Sequence, residues 1–255
     1  MIKLFFFYII FIFFSLNLFA RNIGETEITT EDGIEVFQKE KYYLLKKNVL
    51  ITSDTFSLSG NNLKVLFDKD LYDITVIYAD GNVKLNSETN GIKAKGNYME
   101  IFLKKERILV KGINSELYLK QTSMFSDGII QLFNKEGNFY LNGPNSLLKS
   151  DEIDINGENI DGKFTIINQN REIINLNVND NNISNVRTKD VDMYAKKVIY
   201  DKKNSIIELF EKVKVIRGNE IITGDYGTLD TETNSYKVKS NNEKKVKVII
   251  TENNE

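Results

Sequence analysis

The feature that most constrains this chain is an alternation of apolar and polar residues with a period of two. It continues over most of the 255 residues. The runs Leu63–Phe67 (LKVLF), Val213–Val215 (VKV) and Val246–Ile250 (VKVII) are examples. Successive side chains of a β-strand point to opposite faces, so this period is typical of strands with one buried face. The single proline, Pro144, agrees with continuous strand pairing, because proline removes a hydrogen-bond donor from the ladder. The sequence therefore predicts an all-β fold.

Short turn signals separate the predicted strands at intervals of about 8–12 residues. They include Asp80-Gly81, Gly96-Asn97, Asp127-Gly128 and Asp161-Gly162. Such dipeptides are typical of tight hairpin turns. This spacing predicts roughly 16–20 short strands.

An internal repeat divides these strands into corresponding units. In each copy a strand leads to a valine, and a glycine follows eleven or thirteen residues later. The pairs are Val49 and Gly60, Val83 and Gly96, and Val213 and Gly224. We expect each glycine to lie at a corner of the chain and to adopt a positive φ there, which glycine does without strain.

Residues 1–20 are predicted to be an export signal that is cleaved after Ala20. Lys3 supplies a positive charge, and Leu4–Phe14 is an unbroken apolar run of 11 residues. That length suits a signal peptide, whereas a transmembrane helix needs about 20 apolar residues. Retention of the segment as a membrane anchor is the alternative.

Composition excludes several common kinds of site. The chain has no His, no Cys and no Trp, and its net charge is −2. It therefore lacks the commonest general base, metal ligand and thiol nucleophile, and it lacks the basic excess of a nucleic-acid-binding protein. Gly157–Lys163 imitates a phosphate-binding loop, but Phe164 stands where Ser or Thr is needed. The sequence predicts no catalytic residue, no metal, no cofactor and no nucleic-acid partner.

Two stretches of the sequence carry the motifs of one known family. The first includes Ile28–Val36 (ITTEDGIEV), Tyr43–Ile51 and Ala79–Val83 (ADGNV). The second includes Ala195–Asp201 (AKKVIYD) and Lys245–Ile249 (KVKVI). In order and spacing they resemble the OstA-like domain of the LptA family of periplasmic lipopolysaccharide transport proteins.

The resemblance covers about residues 21–112 and 189–250. Residues 113–188 fit it poorly and are interpreted as additional strand-rich repeats or an insertion. The predicted organisation is a signal peptide at 1–20, OstA-like repeats at 21–112, the additional region at 113–188 and a C-terminal OstA-like repeat at 189–255.

The resemblance implies an open β-jellyroll, which is an antiparallel sheet folded over on itself. It also implies a non-catalytic role in the periplasm, where the acyl chains of lipopolysaccharide lie in the apolar groove on the way to the outer membrane. A shorter, membrane-anchored LptC-like relative shares this domain and is the nearest alternative. A secreted β-fold enzyme that acts on polysaccharide with paired carboxylates is an alternative of another class.

The resemblance further implies that partners join end to end by pairing exposed edge strands. The implied partners are an LptC-like inner-membrane protein, an LptD-like outer-membrane protein and further copies of the chain. The candidate edges are Glu27–Val36 at one end, and Tyr236–Lys239 and Val246–Ile250 at the other.

The residues predicted to contact lipid are apolar positions of the strand pattern. They are Val49, Ile51, Leu63, Val65, Phe67, Val76, Val83, Leu85, Met99, Ile101, Leu103, Val213, Val215, Tyr236 and Val238. Each acyl methylene that leaves water gains about 0.8 kcal/mol, so a lipid with several chains is held without a charged anchor. An ordinary sandwich core is the alternative role of the same residues.

Overall fold

The structure is a computed structural model that describes residues 24–167, 170–241 and 245–251. These ranges contain 18 strands and no helix, which confirms the all-β prediction and the predicted number of strands. Within them no helix is long and apolar enough to span a membrane. The predicted signal peptide lies outside the described residues.

The strands have the following bounds. They are β1 (Glu27–Thr29), β2 (Ile34–Phe37), β3 (Tyr42–Thr52), β4 (Ser57–Phe67), β5 (Ile74–Ser87), β6 (Ile92–Phe102), β7 (Arg107–Lys111), β8 (Ser115–Leu119), β9 (Thr122–Ser126), β10 (Ile129–Phe133), β11 (Asn138–Ser150), β12 (Asp154–Ile167), β13 (Asn170–Arg187), β14 (Asp192–Asp201), β15 (Ile206–Arg217), β16 (Glu220–Asp230), β17 (Ser235–Lys239) and β18 (Lys247–Ile250).

The strands form one antiparallel sheet that is folded into two layers. β3 contributes to both layers, because its first half pairs with β2 and its second half with β1. Its register against β4 shifts between Lys46 and Val49, where the strand turns the corner. β1/β2, β7/β8, β9/β10 and β17/β18 are each two halves of one such strand, so the 18 strands of the described residues make up 14 transverse strands. We call the half of the sheet that contains β2, β7, β10 and β17 layer 1, and the other half layer 2.

The corners lie along one long side of the molecule, which we call the spine. The hairpin turns of both layers lie along the opposite side, which we call the mouth. In the described ranges the layer 1 turns are residues 38–41, 68–73, 103–106, 134–137, 202–205 and 231–234. The layer 2 turns are residues 53–56, 88–91, 120–121, 151–153, 188–191 and 218–219. This arrangement is the folded-over sheet that the resemblance implies.

The valine–glycine repeat marks pairs of residues that face each other across neighbouring strands at the spine. The pairs are Val49 and Gly60, Val83 and Gly96, and Val213 and Gly224. The prediction that these glycines adopt positive φ is wrong. Positive φ falls just before the valine instead, as at Lys47 (59°) and Asn48 (48°). At two of the corners the glycine provides room, because a Cβ would lie 2.5 Å from Val110 Cγ1 at Gly96 and 2.5 Å from the Lys239 carbonyl oxygen at Gly224.

Some predicted turn signals lie inside strands. Asp80-Gly81 and Gly96-Asn97 lie at corners of β5 and β6, and Asp161-Gly162 lies within β12. At the β5 corner Gly81 and Asn82 both have positive φ, of 77° and 52°. A corner of this kind uses the same backbone conformations as a tight turn, so the two share a sequence signal.

Candidate functional site

The candidate site is the apolar interior between the two layers. Eleven of the predicted groove residues are buried there and belong to one hydrophobic cluster. They are Val49, Ile51, Leu63, Val65, Phe67, Val83, Leu85, Met99, Ile101, Val213 and Val215. Tyr236 and Val238 are half-buried and pack against the same cluster at its C-terminal end. The fold therefore brings thirteen of the predicted residues together.

Val76 and Leu103 lie elsewhere. Val76 pairs with Leu66 on the outer face, while Ile77 pairs with Val65 and is buried. The prediction that Val76 faces the interior is therefore wrong, because β5 carries apolar residues on both faces and its alternation does not show which set is inside. Leu103 lies in the turn after β6 and is 37 % exposed at the mouth.

The interior also includes apolar residues between 113 and 188, which are not among the predicted groove residues. Four of them have no exposed surface and Leu141 is almost as deeply buried; the four are Leu117, Ile130, Leu132 and Phe139. The alternation in IIQLF (129–133) and NFYL (138–141) carries the same signal as the strands that were recognised. These residues are absent from the predicted groove because residues 113–188 resemble the family weakly, although their alternation is as clear as elsewhere.

The interior is packed in the middle of the chain and uncovered at both ends. Ile34 and Val36 of β2 pair with inward-facing residues of β3, yet they are 51 % and 40 % exposed. Val248 and Ile250 of β18 lie on the inward face at the other end and are 53 % and 67 % exposed. No strand of the described chain lies beyond them, so the apolar interior opens outward at each end.

The terminal strands also leave one edge of the sheet unpaired at each end. Within the described residues β1 and β2 pair only with β3, and β17 and β18 pair only with β16. An unpaired edge presents backbone N–H and C=O groups to which another strand can add. Unpaired edges and an uncovered interior therefore coincide at both ends.

Polar contacts cross the mouth between the two layers. We call the following three contacts the mouth bridges: the Arg171 Nη1 donor to the Asn90 carbonyl oxygen at 3.2 Å, the Lys202 Nζ donor to Glu152 Oε1 at 2.7 Å, and the Tyr236 hydroxyl donor to Glu220 Oε2 at 2.6 Å. The hydrogen bond with Glu220 raises the pKa of Tyr236, because the carboxylate accepts from the protonated hydroxyl. The mouth bridges hold the two layers together along the side opposite the spine.

The mouth also contains cavities of different character. A cavity of about 230 Å³ is lined largely by apolar side chains, among them Phe56, Leu85, Ile101, Leu103 and Ile108. A second, of about 390 Å³, lies between layer 2 turns 151–153 and 188–191 and layer 1 turns 202–205 and 231–234, and most of its lining residues are polar or charged. In the part of the chain that the structure describes, no group of three acidic, His or Cys side chains could hold a metal ion.

Comparison with solved structures gives a weak likeness over most of the chain. Fourteen chains match, and one is the crystal structure of LptH, the LptA homologous periplasmic component of the lipopolysaccharide transport device from Pseudomonas aeruginosa. The identity is 10 %, the match covers 89 % of this chain and 96 % of that chain, and the TM-score is 0.23. At that TM-score the likeness supports no inference about function.

Sequence comparison gives a family for part of the chain. No curated protein sequence matches it. Residues 133–235 match the family described as LptA/(LptD N-terminal domain) LPS transport protein. The matched range includes residues 133–188, which lie in the region that resembles the OstA-like pattern poorly. Over residues 133–235, therefore, the chain is similar to a family of lipopolysaccharide transport proteins.

Proposed function

We propose that the chain is a non-catalytic carrier that moves lipopolysaccharide through the periplasm toward the outer membrane, with the acyl chains held between its two layers. The family match over residues 133–235 supports the class of cargo. The observation that carries the proposal is one apolar interior that runs through all 14 transverse strands of the described chain and is uncovered at both ends. A closed sandwich core would have its end strands covered.

Acyl chains enter this interior by parting the layers. The inward residues in the middle of the chain, such as Leu132 and Phe139, have no exposed surface, so space for a chain has to be created. The mouth is the side that opens, because its turns are joined across by side chains whereas the spine is continuous backbone. Each acyl methylene that moves from water into the apolar interior gains about 0.8 kcal/mol. This gain offsets the loss of contacts between the layers.

The two ends couple the carrier to its partners. β1 and β2 at one end and β17 and β18 at the other accept an added strand, which also covers Ile34, Val36, Val248 and Ile250. An LptC-like inner-membrane protein, an LptD-like outer-membrane protein and further copies of this chain fit such ends. Strand addition would join the interior of one molecule to that of the next and extend the apolar path.

Site-specific photocrosslinking in cells tests the proposal. A photoreactive residue at Phe67 or Val215 faces the interior, whereas Lys64 and Lys214 provide matched outward positions on the same strands. The outward lysines lie over the rings of Tyr42 and Tyr194 on the outer surface, at 4.2 and 5.3 Å.

We expect lipopolysaccharide adducts at the two inward positions and none at the two outward ones. Adducts at all four positions, or at none in a folded exported protein, would contradict the proposal. Turnover of a polysaccharide by the purified protein would contradict its non-catalytic character.

A further inference from the structure

A continuous polar cleft runs along part of the mouth, between the turns of the two layers. The cavity of about 390 Å³ continues into a smaller one of about 110 Å³, because five residues line both. The shared residues are Asp151, Glu152, Ile153, Tyr200 and Lys202. We call the two cavities together the polar cleft. Ligand pockets in proteins usually have volumes of about 300–1,000 Å³, so the polar cleft is large enough for a small molecule.

Buried side chains form the floor of the polar cleft. Ile153, Ile173 and Ile207 line it and belong to the hydrophobic cluster between the layers. Tyr200 is also buried, and its hydroxyl donates to Glu152 Oε2 at 3.2 Å. The floor thus presents alkyl groups and one aromatic ring beneath a rim of polar side chains. Such a site suits a ligand that has both C–H and O–H groups, as a sugar ring does.

Some polar side chains of the cleft have no partner among the described residues. Thr122 is only 5 % exposed, and its hydroxyl lines the smaller cavity without a hydrogen bond to any described group. Buried hydroxyl groups are nearly always hydrogen-bonded, because burial without a partner is unfavourable. The Thr122 hydroxyl therefore indicates that the smaller cavity receives a polar ligand.

The charge of the lining favours a cationic ligand. Five carboxylates and three cations line the polar cleft, which gives it a net charge of −2. Lys202 Nζ pairs with two of the carboxylates, at 2.7 Å from Glu152 Oε1 and 3.6 Å from Glu172 Oε2. Arg171 is 8 % exposed and donates to neutral groups of turns 88–91 and 134–137, which lie outside the cleft. The carboxylates that form no ion pair in the described chain are those of Asp151, Asp190 and Glu232.

We propose that the polar cleft binds a short saccharide that carries amino groups. The sugar rings pack on the floor, the Thr122 hydroxyl bonds with a sugar hydroxyl, and the ammonium groups lie near the unpaired carboxylates of the rim. The inference deepens the proposed function and rests on it for the natural source of the saccharide, which is the sugar part of a lipopolysaccharide. The site itself follows from the cleft and its lining.

Calorimetric titration of the purified full chain with two trisaccharides of one backbone tests the proposal. The trimer of β-1,4-linked glucosamine carries ammonium groups at about pH 5.5, where exposed carboxylates are also charged, whereas its N-acetylated counterpart is neutral. We expect saturable binding of one glucosamine trimer, at least tenfold tighter than that of the acetylated trimer, because charge-assisted hydrogen bonds are the stronger ones. Equal affinity for the two trimers, or no binding of the glucosamine trimer, would overturn the proposal.

A titration with spermidine distinguishes a saccharide site from a general site for amines. Spermidine has three amino groups and no sugar ring, so it cannot bond with Thr122 through a hydroxyl or pack a ring on the floor. We expect it to bind at least tenfold more weakly than the glucosamine trimer. Spermidine binding as tight as that of the trimer would refute the role of the sugar.

Variants divide the site into its two parts. Asp190→Asn combined with Glu232→Gln should weaken binding of the glucosamine trimer at least tenfold and leave the acetylated trimer unaffected, and both positions are exposed, so the fold should remain intact. Thr122→Val should weaken both trimers. Glu136→Gln is the matched control, since Glu136 is an exposed carboxylate of another mouth turn and does not line the cleft. If Thr122→Val fails to fold, the double variant alone decides: unchanged binding of the glucosamine trimer in it would overturn the proposal.

Crosslinking to lipopolysaccharide at Phe67 and Val215 separates this inference from the proposed function. Lipopolysaccharide adducts together with no binding of the glucosamine trimer would refute the saccharide site and leave the carrier in place. Binding of the trimer without lipopolysaccharide adducts would refute the carrier and leave the saccharide site.

Discussion

Ile250→Asp should weaken end-to-end association about 30-fold while leaving the monomer folded. Ile250 lies on the inward face of the last described strand, 67 % of its surface is exposed, and no described strand lies beyond it. Substitutions at such exposed positions usually change the free energy of unfolding by less than about 0.5 kcal/mol. Thermal unfolding of the variant should therefore resemble that of the unchanged chain.

The effect on association is much larger, because an added partner would bury this side chain. Full burial of an isoleucine is worth about 1.5–3 kcal/mol, so covering the exposed two-thirds contributes about 1–2 kcal/mol. The aspartate loses that gain and also has to give up water around its charge, which costs at least about 1 kcal/mol more. We therefore expect a loss of at least about 2 kcal/mol, which raises the dissociation constant about 30-fold.

Sedimentation velocity over a concentration series measures this constant for the full chain. Ile249→Asp is the matched control, since Ile249 is the neighbouring residue on the same edge strand, pairs with Ile221 on the outward face and is 42 % exposed. If burial of the interior drives association, Ile249→Asp should weaken it far less than Ile250→Asp. Equal losses in the two variants, or no loss in either, would refute the reasoning.

Three further predictions concern stability, measured by urea denaturation. Leu132→Ala in the packed middle of the interior should lower the free energy of unfolding by about 2–5 kcal/mol, and a loss below about 1 kcal/mol would show loose packing there. Gly96→Ala should lower the free energy of unfolding, because the new Cβ would meet Val110. Gly218→Asn should be nearly neutral, because Gly218 has open space around it and a φ of 53° that asparagine tolerates. Equal losses of stability in the two variants would contradict this account of the spine. The free energy of unfolding should fall as the pH rises from 10 toward 12. Burial raises the pKa of Tyr43 to about 12, so near pH 10 only the unfolded chain releases that proton. The fall should be smaller in Tyr43→Phe, and an identical pH dependence in this variant would assign the fall to other groups.

The alternation in the sequence predicts the strands and most of the interior, because burial of one face leaves a local pattern. It fails at Val76, where both faces of β5 are apolar and only pairing with β4 decides which side is inward. The sequence predicts the corners either as hairpin turns or as glycines with positive φ. At the first corner the positive φ lies on Lys47 and Asn48, residues with no special pattern. The need for glycine depends on neighbouring strands, since a Cβ at Gly96 would lie 2.5 Å from Val110 Cγ1.

The candidate site was only partly predictable for a related reason. The buried Arg171 lies in NREII, which resembles any polar turn followed by a strand. Its burial depends on Asn90 and Asn134, which lie 81 and 37 residues away along the chain. The exposure of the interior at the two ends also cannot be predicted from the local sequence, because Val248 and Ile250 show the same alternation as buried residues. These two side chains are exposed because no described strand covers them.

The number of transverse strands sets the length of the molecule. Neighbouring strands lie about 4.8 Å apart, so 14 of them give each layer a length of roughly 60 Å. Each strand pairs mainly with those before and after it in the sequence, as in repeat proteins that grow in one dimension. Insertion or deletion of one hairpin would therefore change the reach of the molecule by about 10 Å and leave both end surfaces intact. The distance that one molecule spans can thus vary independently of what its ends recognise.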